Sequence, residues 1–178
     1  MKRKAIFLDR DGVLNQAVVK DGKPYPPASL DALHISNDVP TALALLKKAG
    51  FLLIGATNQP DVARGTTSRA TVEAINARLL DTLPLDDIRV CYHDNVDQCN
   101  CRKPLPGLLL KAAEHYKIDL KKSFMVGDRW KDIAAGKRAG CKTVWLDYQY
   151  EEIFLGAAPD FTTTTLTTAA HWIINDIL

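Results

Sequence analysis

Two aspartates separated by one residue, Asp9 and Asp11, follow a short apolar run at positions 5–8. Carboxylates with this spacing, where a chain leaves a buried strand, can hold one Mg²⁺ between a side chain and nearby oxygens, and Gly12 permits the turn that follows. The alternative is a solvated strand end with an Asx turn, which is common enough that the pair alone does not decide between the two. Residues elsewhere in the chain decide between a magnesium site and a solvated strand end.

Polar and charged side chains follow three later strand-like segments. The first group supplies a hydroxyl and an amide that can hydrogen-bond phosphate oxygens, the second supplies positive charge, and the third supplies carboxylates suited to a hard cation. In chain order these residues are Thr57 and Asn58, Arg102 and Lys103, and Asp128 with Asp132 one helical turn later. Each group has an ordinary alternative, a helix cap or a surface charge. One site at the carboxyl ends of parallel strands explains all of them together.

The apolar pattern predicts the elements that would bring these residues together. Short runs rich in Ile, Val, Leu and Phe alternate with helical patterns, and parallel strands need such crossover connections. The predicted strands are 5–8, 51–56, 88–91, 124–126 and 143–146, and the predicted helices are 39–49, 69–80, 107–116 and 130–139. We therefore expect a doubly wound α/β fold of Rossmann type, in a single domain over residues 1–178.

The connections between these elements are short of regular pattern, and the C-terminal segment predicts one more strand and helix. Residues 14–36 have no helical pattern, and 59–102 are filled by one helix, one strand and a loop, so we expect no large cap domain. Asn37 or Asp38 is the predicted N-cap of the first helix, and residues 24–27 (Pro-Tyr-Pro-Pro) are interpreted as a rigid surface loop rather than a polyproline ligand. Residues 162–165 predict a strand-like stretch, and 166–178 a packed helix.

The composition excludes several classes of protein. The 178 residues are 47% hydrophobic and 25% charged, which is typical of soluble globular proteins. A net charge of +2 gives no basic stripe for a nucleic acid. No apolar run is long enough to span a membrane, and Asp9 falls where a signal peptide needs its apolar middle. We expect a cytoplasmic protein, a monomer, with a small-molecule partner.

Three cysteines and a histidine crowd into one short connection. Cys91, His93, Cys99 and Cys101 have the form C-x-H-x5-C-x-C and lead directly into Lys103. Zinc favours four such ligands in a tetrahedron, and with all four positions filled by protein the ion would be structural. The alternative is a set of reduced core cysteines with a capping histidine. Cys141 stands apart, and we interpret it as a small buried apolar residue.

These motifs make the sequence resemble the haloacid dehalogenase-like phosphohydrolases over about residues 4–146. The matching segments are 9–13 (Asp-Arg-Asp-Gly-Val), Thr57-Asn58, Lys103, and Gly127-Asp128 with Asp132. The resemblance implies that a nucleophilic Asp9 forms an aspartyl phosphate and that Asp11 acts as general acid and base. It also implies that Thr57 and Lys103 stabilise the phosphoryl group, and that Asp9, Asp11 and Asp128 hold Mg²⁺, with Asp132 nearby.

The cysteine-rich loop, residues 91–103, narrows the resemblance to zinc-containing phosphatases that act on heptose 1,7-bisphosphates or on histidinol phosphate. The segments around Arg64 and Arg102 look more like the heptose branch, which implies a sugar bisphosphate used for nucleotide-activated heptose synthesis. A histidinol-phosphate phosphatase is the alternative; a polynucleotide 3′-phosphatase or an inactive zinc-stabilised binding protein is less consistent with the motifs and charge. Asn58 is a predicted substrate-binding residue. Arg102 and then Arg129 are the predicted ligands of a second phosphate, whereas Arg64 binds substrate or pins its own loop.

Overall fold

The computed structural model describes residues 2–153 and 155–177, and within them the chain forms eight strands and five α-helices. The strands are β1 (Ala5–Leu8), β2 (Val18–Lys20), β3 (Lys23–Tyr25), β4 (Leu52–Asn58), β5 (Asp87–Cys91), β6 (Phe124–Gly127), β7 (Lys142–Leu146) and β8 (Phe161–Thr163). The helices are α1 (Val39–Lys48), α2 (Arg69–Thr82), α3 (Gly107–Tyr116), α4 (Trp130–Ala139) and α5 (Leu166–Asp176). None of the helices in the described ranges is both long and apolar enough to cross a membrane.

Six of these strands form one parallel sheet in the order β5-β4-β1-β6-β7-β8. The chain order reverses at β1, which pairs with β4 on one side and with β6 on the other. Ligands of open α/β sheets bind beyond the carboxyl ends of the strands at such a reversal. The predicted doubly wound α/β fold is confirmed, and β1 delivers Asp9 to this point.

Side chains of β1 alternate between two apolar cores. Ile6 and Leu8 pack with residues of α1, α2 and α5, whereas Ala5 and Phe7 pack with residues of α3 and α4. Successive residues of a strand face opposite sides of the sheet, so burial of both sets requires helices on both faces. This is why the strand appears in the sequence as an unbroken apolar run.

A hairpin formed by β2 and β3 occupies part of the 14–36 connection, in which the sequence predicted no strand. Its strands are antiparallel and mostly exposed, and they are joined by Asp21 and Gly22, both with positive φ, as a type I′ turn requires. Pro24 and Tyr25 belong to β3, so the interpretation of 24–27 as a surface loop was wrong for its first half. The Asp-Gly pair was the signal for this hairpin.

Asp38 occupies the N-cap position of α1, as predicted, but its side chain does not cap that helix. Instead, its Oδ2 accepts hydrogen bonds from the main-chain N–H groups of Leu166 (3.1 Å) and Thr167 (3.4 Å) at the start of α5. Because α5 packs against α1, a carboxylate beside one helix reaches the unpaired N–H groups of the other. The predicted helix over 166–178 is found over Leu166–Asp176, and residue 178 lies outside the described residues.

We expect Asp38→Ala to lower the free energy of unfolding by about 1–2 kcal/mol, because it removes the acceptor of two N–H groups in the first turn of α5. Urea unfolding followed by circular dichroism measures the change. Asp31→Ala alters an exposed loop carboxylate and is the control, with an expected change below about 0.5 kcal/mol. If the two variants are equally stable, the contact contributes nothing to the fold.

Candidate active site

The carboxyl ends of β1, β4 and β6 meet at a cavity of about 270 Å³. Asp9 follows β1 and is 8% exposed, and Thr57 in β4 is 1% exposed; both line the cavity. Asp128 follows β6, is 1% exposed and does not itself line the cavity, but its carboxylate lies within 4.8 Å of that of Asp9. Lys103 enters from the cysteine-rich loop and lines the same cavity. The residues that the sequence singled out at separate strand ends therefore lie together.

A buried lysine between two aspartates forms the centre of this site. Lys103 Nζ lies 2.8 Å from Asp9 Oδ1 and 2.6 Å from Asp132 Oδ1, and its side chain is 2% exposed. Burial acts to lower the pKa of Lys103, but the two carboxylates outweigh burial and raise it above its usual value. The ammonium group is therefore charged at any physiological pH.

The carboxylates outnumber the cation that neutralises them. Oxygens of Asp9, Asp128 and Asp132 lie within 4.8 Å of one another. Burial, followed by Asp9 and Asp132, raises the pKa of Asp128 well above its usual value. Among the described residues, no hydrogen bond of ordinary geometry reaches either oxygen of Asp128, although the Tyr150 hydroxyl is near enough to lower its pKa. Three buried carboxylates beside one lysine are costly, so the cluster fits a hard divalent cation.

Two glycines allow these carboxylates to approach one another. A Cβ on Gly12, whose φ is +96°, would lie 1.9 Å from Asp128 Oδ2, and a Cβ on Gly127 would lie 2.1 Å from the Cβ of Asp132. Any side chain at either position would displace a carboxylate. The glycines next to the aspartate motifs are therefore part of the site.

Asp11 is held away from the carboxylate cluster. The Arg10 guanidinium donates two hydrogen bonds to it, at 3.1 and 3.0 Å, and Gln59 Nε2 donates another at 2.7 Å. Arg10 is 0% exposed and also donates to Asn76 Oδ1 at 3.0 Å, so it needs a nearby counter-charge. The set expected to hold Mg²⁺ was Asp9, Asp11 and Asp128; in the structure the side chain of Asp132, rather than that of Asp11, completes the cluster.

Asn58 lines the cavity, but its side-chain amide is bonded to the main chain of Lys103. Its Nδ2 donates to the Lys103 carbonyl at 2.9 Å, and its Oδ1 accepts from the Lys103 N–H at 3.0 Å. The side-chain amide expected to bind substrate is thus occupied in fixing Lys103. Gln59, which the sequence analysis missed, is 1% exposed and donates to both Thr57 Oγ1 (2.9 Å) and Asp11.

The four predicted zinc ligands lie together. Sγ of Cys91 is 3.7 Å from that of Cys99 and 3.2 Å from that of Cys101, and His93 Nδ1 is 3.3 Å from Cys101 Sγ. Tetrahedral zinc with bonds of about 2.3 Å separates two sulfurs by about 3.8 Å, close to these spacings. Cys141 is buried in the apolar core beside α3. The cluster is thus able to hold zinc with no position left for water.

The three arginines predicted near the substrate all line the cavity, and all are already engaged. Arg64 donates two hydrogen bonds to Asp94, each at 2.7 Å, which tie it to the cysteine-rich loop. Arg102 donates to Asn95 Oδ1 at 2.9 Å and to the His93 carbonyl at 3.3 Å.

Arg129, the third of these arginines, pairs through both Nε and Nη2 with Glu152. Two lysines that the sequence analysis did not consider, Lys23 and Lys131, also line the cavity. Burial, and then the charges of Arg129 and Arg102, lower the pKa of Lys131. Six cationic side chains and four carboxylates line the cavity, so positive charge is in excess there.

Comparisons with known proteins agree with this geometry. Residues 100–169 match the HAD-hydrolase-like family. The chain is 36% identical to a D-glycero-β-D-manno-heptose-1,7-bisphosphate 7-phosphatase of Pseudomonas aeruginosa, over 81% of each chain. It is 35% identical to the enzyme of that name in Escherichia coli, over 97% of this chain and 89% of the relative.

Solved structures are also similar over nearly the whole length, and one of them has a related name. It is a D,D-heptose 1,7-bisphosphate phosphatase from B. bronchiseptica, complexed with magnesium and phosphate. The TM-score is 0.81 and the identity 32%, with 97% of this chain and 99% of that chain covered.

We expect the protein purified without added metal to contain about one zinc ion per chain by elemental analysis. Cys99→Ser should lose the zinc and lower the melting temperature by about 5 °C or more, because structural zinc contributes folding free energy. Cys141→Ser is the matched control and should keep the zinc. A metal-free protein of unchanged stability would contradict the assignment.

The raised pKa of Asp9 makes the stability of the folded protein depend on pH. Burial and then Asp132 raise its pKa from 3.8 to about 6, with Lys103 partly offsetting them. The folded protein holds the proton of the Asp9 carboxyl more tightly than the unfolded chain does. Protonation of Asp9 therefore stabilises the fold at low pH, and this stabilisation is lost as the pH rises from 3.8 through about 6.

In EDTA, we expect the stability of Asp9→Asn relative to the wild type to rise by about 1 kcal/mol between about pH 5 and about pH 8. Urea unfolding at both pH values measures it. Asp81→Asn, at an exposed position of α2, should show no such change. A stability difference that does not vary with pH would contradict the raised pKa.

Proposed function

The chain belongs to the HAD-like phosphatases that include the heptose 1,7-bisphosphate 7-phosphatases, and from this membership we propose its substrate. It removes the 7-phosphate of D-glycero-β-D-manno-heptose 1,7-bisphosphate and leaves the heptose 1-phosphate. The observation that carries the proposal is the Asp9–Lys103–Asp132 arrangement in a cationic cavity, in a chain similar to such enzymes over most of its length. These relatives favour the heptose bisphosphate over histidinol phosphate. A cytoplasmic monomer remains our expectation from the sequence alone.

Asp9 is the proposed nucleophile. One of its carboxylate oxygens attacks phosphorus, an aspartyl phosphate forms, and the bond from phosphorus to the sugar oxygen breaks. Lys103, fixed 2.8 Å from Asp9 Oδ1, places a positive charge where the phosphoryl oxygens gather negative charge. Thr57, near the carboxyl end of the neighbouring strand β4, offers its hydroxyl to those oxygens. Lys103 and Thr57 therefore bind and orient the phosphate before Asp9 attacks phosphorus.

Asp11 is the proposed general acid and base. Protonated, it gives its proton to the departing sugar oxygen, and as a carboxylate it then takes a proton from the water that hydrolyses the aspartyl phosphate. The hydrogen bonds from Arg10 and Gln59 fix its orientation.

A divalent cation completes the charge balance. Asp9 and Asp128 would hold Mg²⁺, with Asp132 beside them, because these three buried carboxylates place oxygens within 4.8 Å of one another. When bound, the ion neutralises the repulsion between the carboxylates and the phosphate dianion. Lys103 remains free to balance Asp132 and the phosphoryl oxygens.

We expect the wild type with Mg²⁺ to release phosphate from the heptose bisphosphate with a kcat/KM at least about 10-fold above that for histidinol phosphate or fructose 1,6-bisphosphate. Asp9→Asn should lose at least about 10³-fold, since the uncharged amide cannot attack phosphorus. Release of inorganic phosphate is the measurement.

The control is Asp81→Asn, which changes a carboxylate of α2 outside the cavity and should keep wild-type rates. EDTA should abolish activity, and added Mg²⁺ should restore it. A preference for histidinol phosphate would overturn the substrate, and rapid turnover by Asp9→Asn would overturn the mechanism.

A further inference from the structure

A buried glutamine, Gln59, lies behind the wall of the active-site cavity. It directly follows β4 and is 1% exposed; it does not line the cavity, whereas Thr57, two residues earlier, does. The main-chain N–H of Gln59 donates to the Cys91 carbonyl at 2.7 Å, next to the pairing of β4 with β5. Gln59 is therefore held beside a phosphate-binding residue without reaching the substrate itself.

One nitrogen of the Gln59 side chain bonds two groups of the proposed mechanism. Its Nε2 donates to Thr57 Oγ1 at 2.9 Å and to Asp11 Oδ2 at 2.7 Å. A side-chain amide nitrogen carries two N–H groups, so these two hydrogen bonds use both. Asp11 also pairs with the Arg10 guanidinium at 3.0 Å, and its carboxylate offers only acceptors. Asp11 thus makes the amide present its nitrogen rather than its oxygen.

The orientation of this amide decides what the Thr57 hydroxyl can do. A hydroxyl has one O–H donor and two acceptor lone pairs. Gln59 occupies one lone pair, and in the part of the chain that the structure describes the Thr57 hydroxyl donates to no acceptor. Its proton is therefore available to a phosphoryl oxygen in the cavity. With the amide reversed, the Gln59 carbonyl would accept that proton and withdraw it from the phosphate.

We propose that Gln59 is a positioning residue that directs the O–H of Thr57 toward the phosphoryl group. Asp11 fixes the amide, and the amide fixes the hydroxyl, so one buried side chain orients the acid–base group and the phosphate donor together. This inference rests on the roles proposed for Asp11 and Thr57, but not on the identity of the sugar.

The test is titration calorimetry with inorganic phosphate in the presence of Mg²⁺. Gln59→Leu should raise the Kd for phosphate about 3–10-fold, because it leaves the Thr57 hydroxyl free to turn away. In the Thr57→Val background, which has no hydroxyl to direct, the same substitution should change the Kd less than about 2-fold. Gln16→Leu, at an exposed position, is the matched control and should leave the Kd unchanged.

A second variant, Gln59→Glu, keeps the shape of the side chain and carries the test if circular dichroism shows that Gln59→Leu does not fold. An oxygen replaces Nε2 and carries at most one proton, which Asp11 attracts, so a lone pair faces Thr57 and accepts its proton. The Kd for phosphate should rise at least about 10-fold. In the Thr57→Val background the rise should be at least about 3-fold smaller, since only the effect of the added charge remains.

Equal losses of phosphate binding in the two backgrounds would show that Gln59 does not act through Thr57 and would overturn the inference. An unchanged Kd for both Gln59 variants, or a wild type that binds no phosphate, would overturn it as well. Turnover of heptose bisphosphate by the wild type separately decides the proposed function, because binding of inorganic phosphate does not depend on the sugar.

Discussion

The buried ion pairs of Lys103 with Asp9 and Asp132 are the constraint on which the rest of the site depends. An ammonium group that is 2% exposed is tolerated only because both carboxylates contact it directly. Each partner comes from a different part of the chain, so the contacts form only when β1, the cysteine-rich loop and α4 are all in place. The fold and the reactive centre are therefore stabilised together.

Several features that seem separate in the sequence serve this one lysine. The side chain of Asn58, at the end of β4, forms two hydrogen bonds with the main-chain N–H and carbonyl of Lys103. The cysteine cluster orders the loop that precedes it, in a segment with little apolar core of its own. Gly127 leaves the space into which Asp132 turns to reach it. Replacing any of these residues should disturb Lys103 before it disturbs the sheet.

Sequence reasoning located the sheet and most of the site for a physical reason. Strands buried on both faces are unbroken apolar runs, and their carboxyl ends must meet, so Asp9, Thr57 and Asp128 could be placed without knowing any contact. The failures concern exposed or long-range features. The β2–β3 hairpin has only three residues in each strand, most of them exposed, and only its Asp-Gly turn marked it. Likewise, the pairing of Arg129 with Glu152 joins residues 23 apart in sequence, which no local pattern encodes.

The segment after β7 fixes the position of the residues that line the active-site cavity, although no large cap domain covers it. The Glu151 N–H donates to the Gly22 carbonyl at 2.9 Å, while the next residue, Glu152, pairs with Arg129 at the start of α4. Two adjacent residues thus tie the β2–β3 hairpin to the helix that carries Asp132. Because the hairpin also lines the cavity through Lys23 and Tyr25, its position is coupled to the chemical centre. Short connections that are cross-linked in this way can determine substrate selection, a role for which a separate cap domain is then unnecessary.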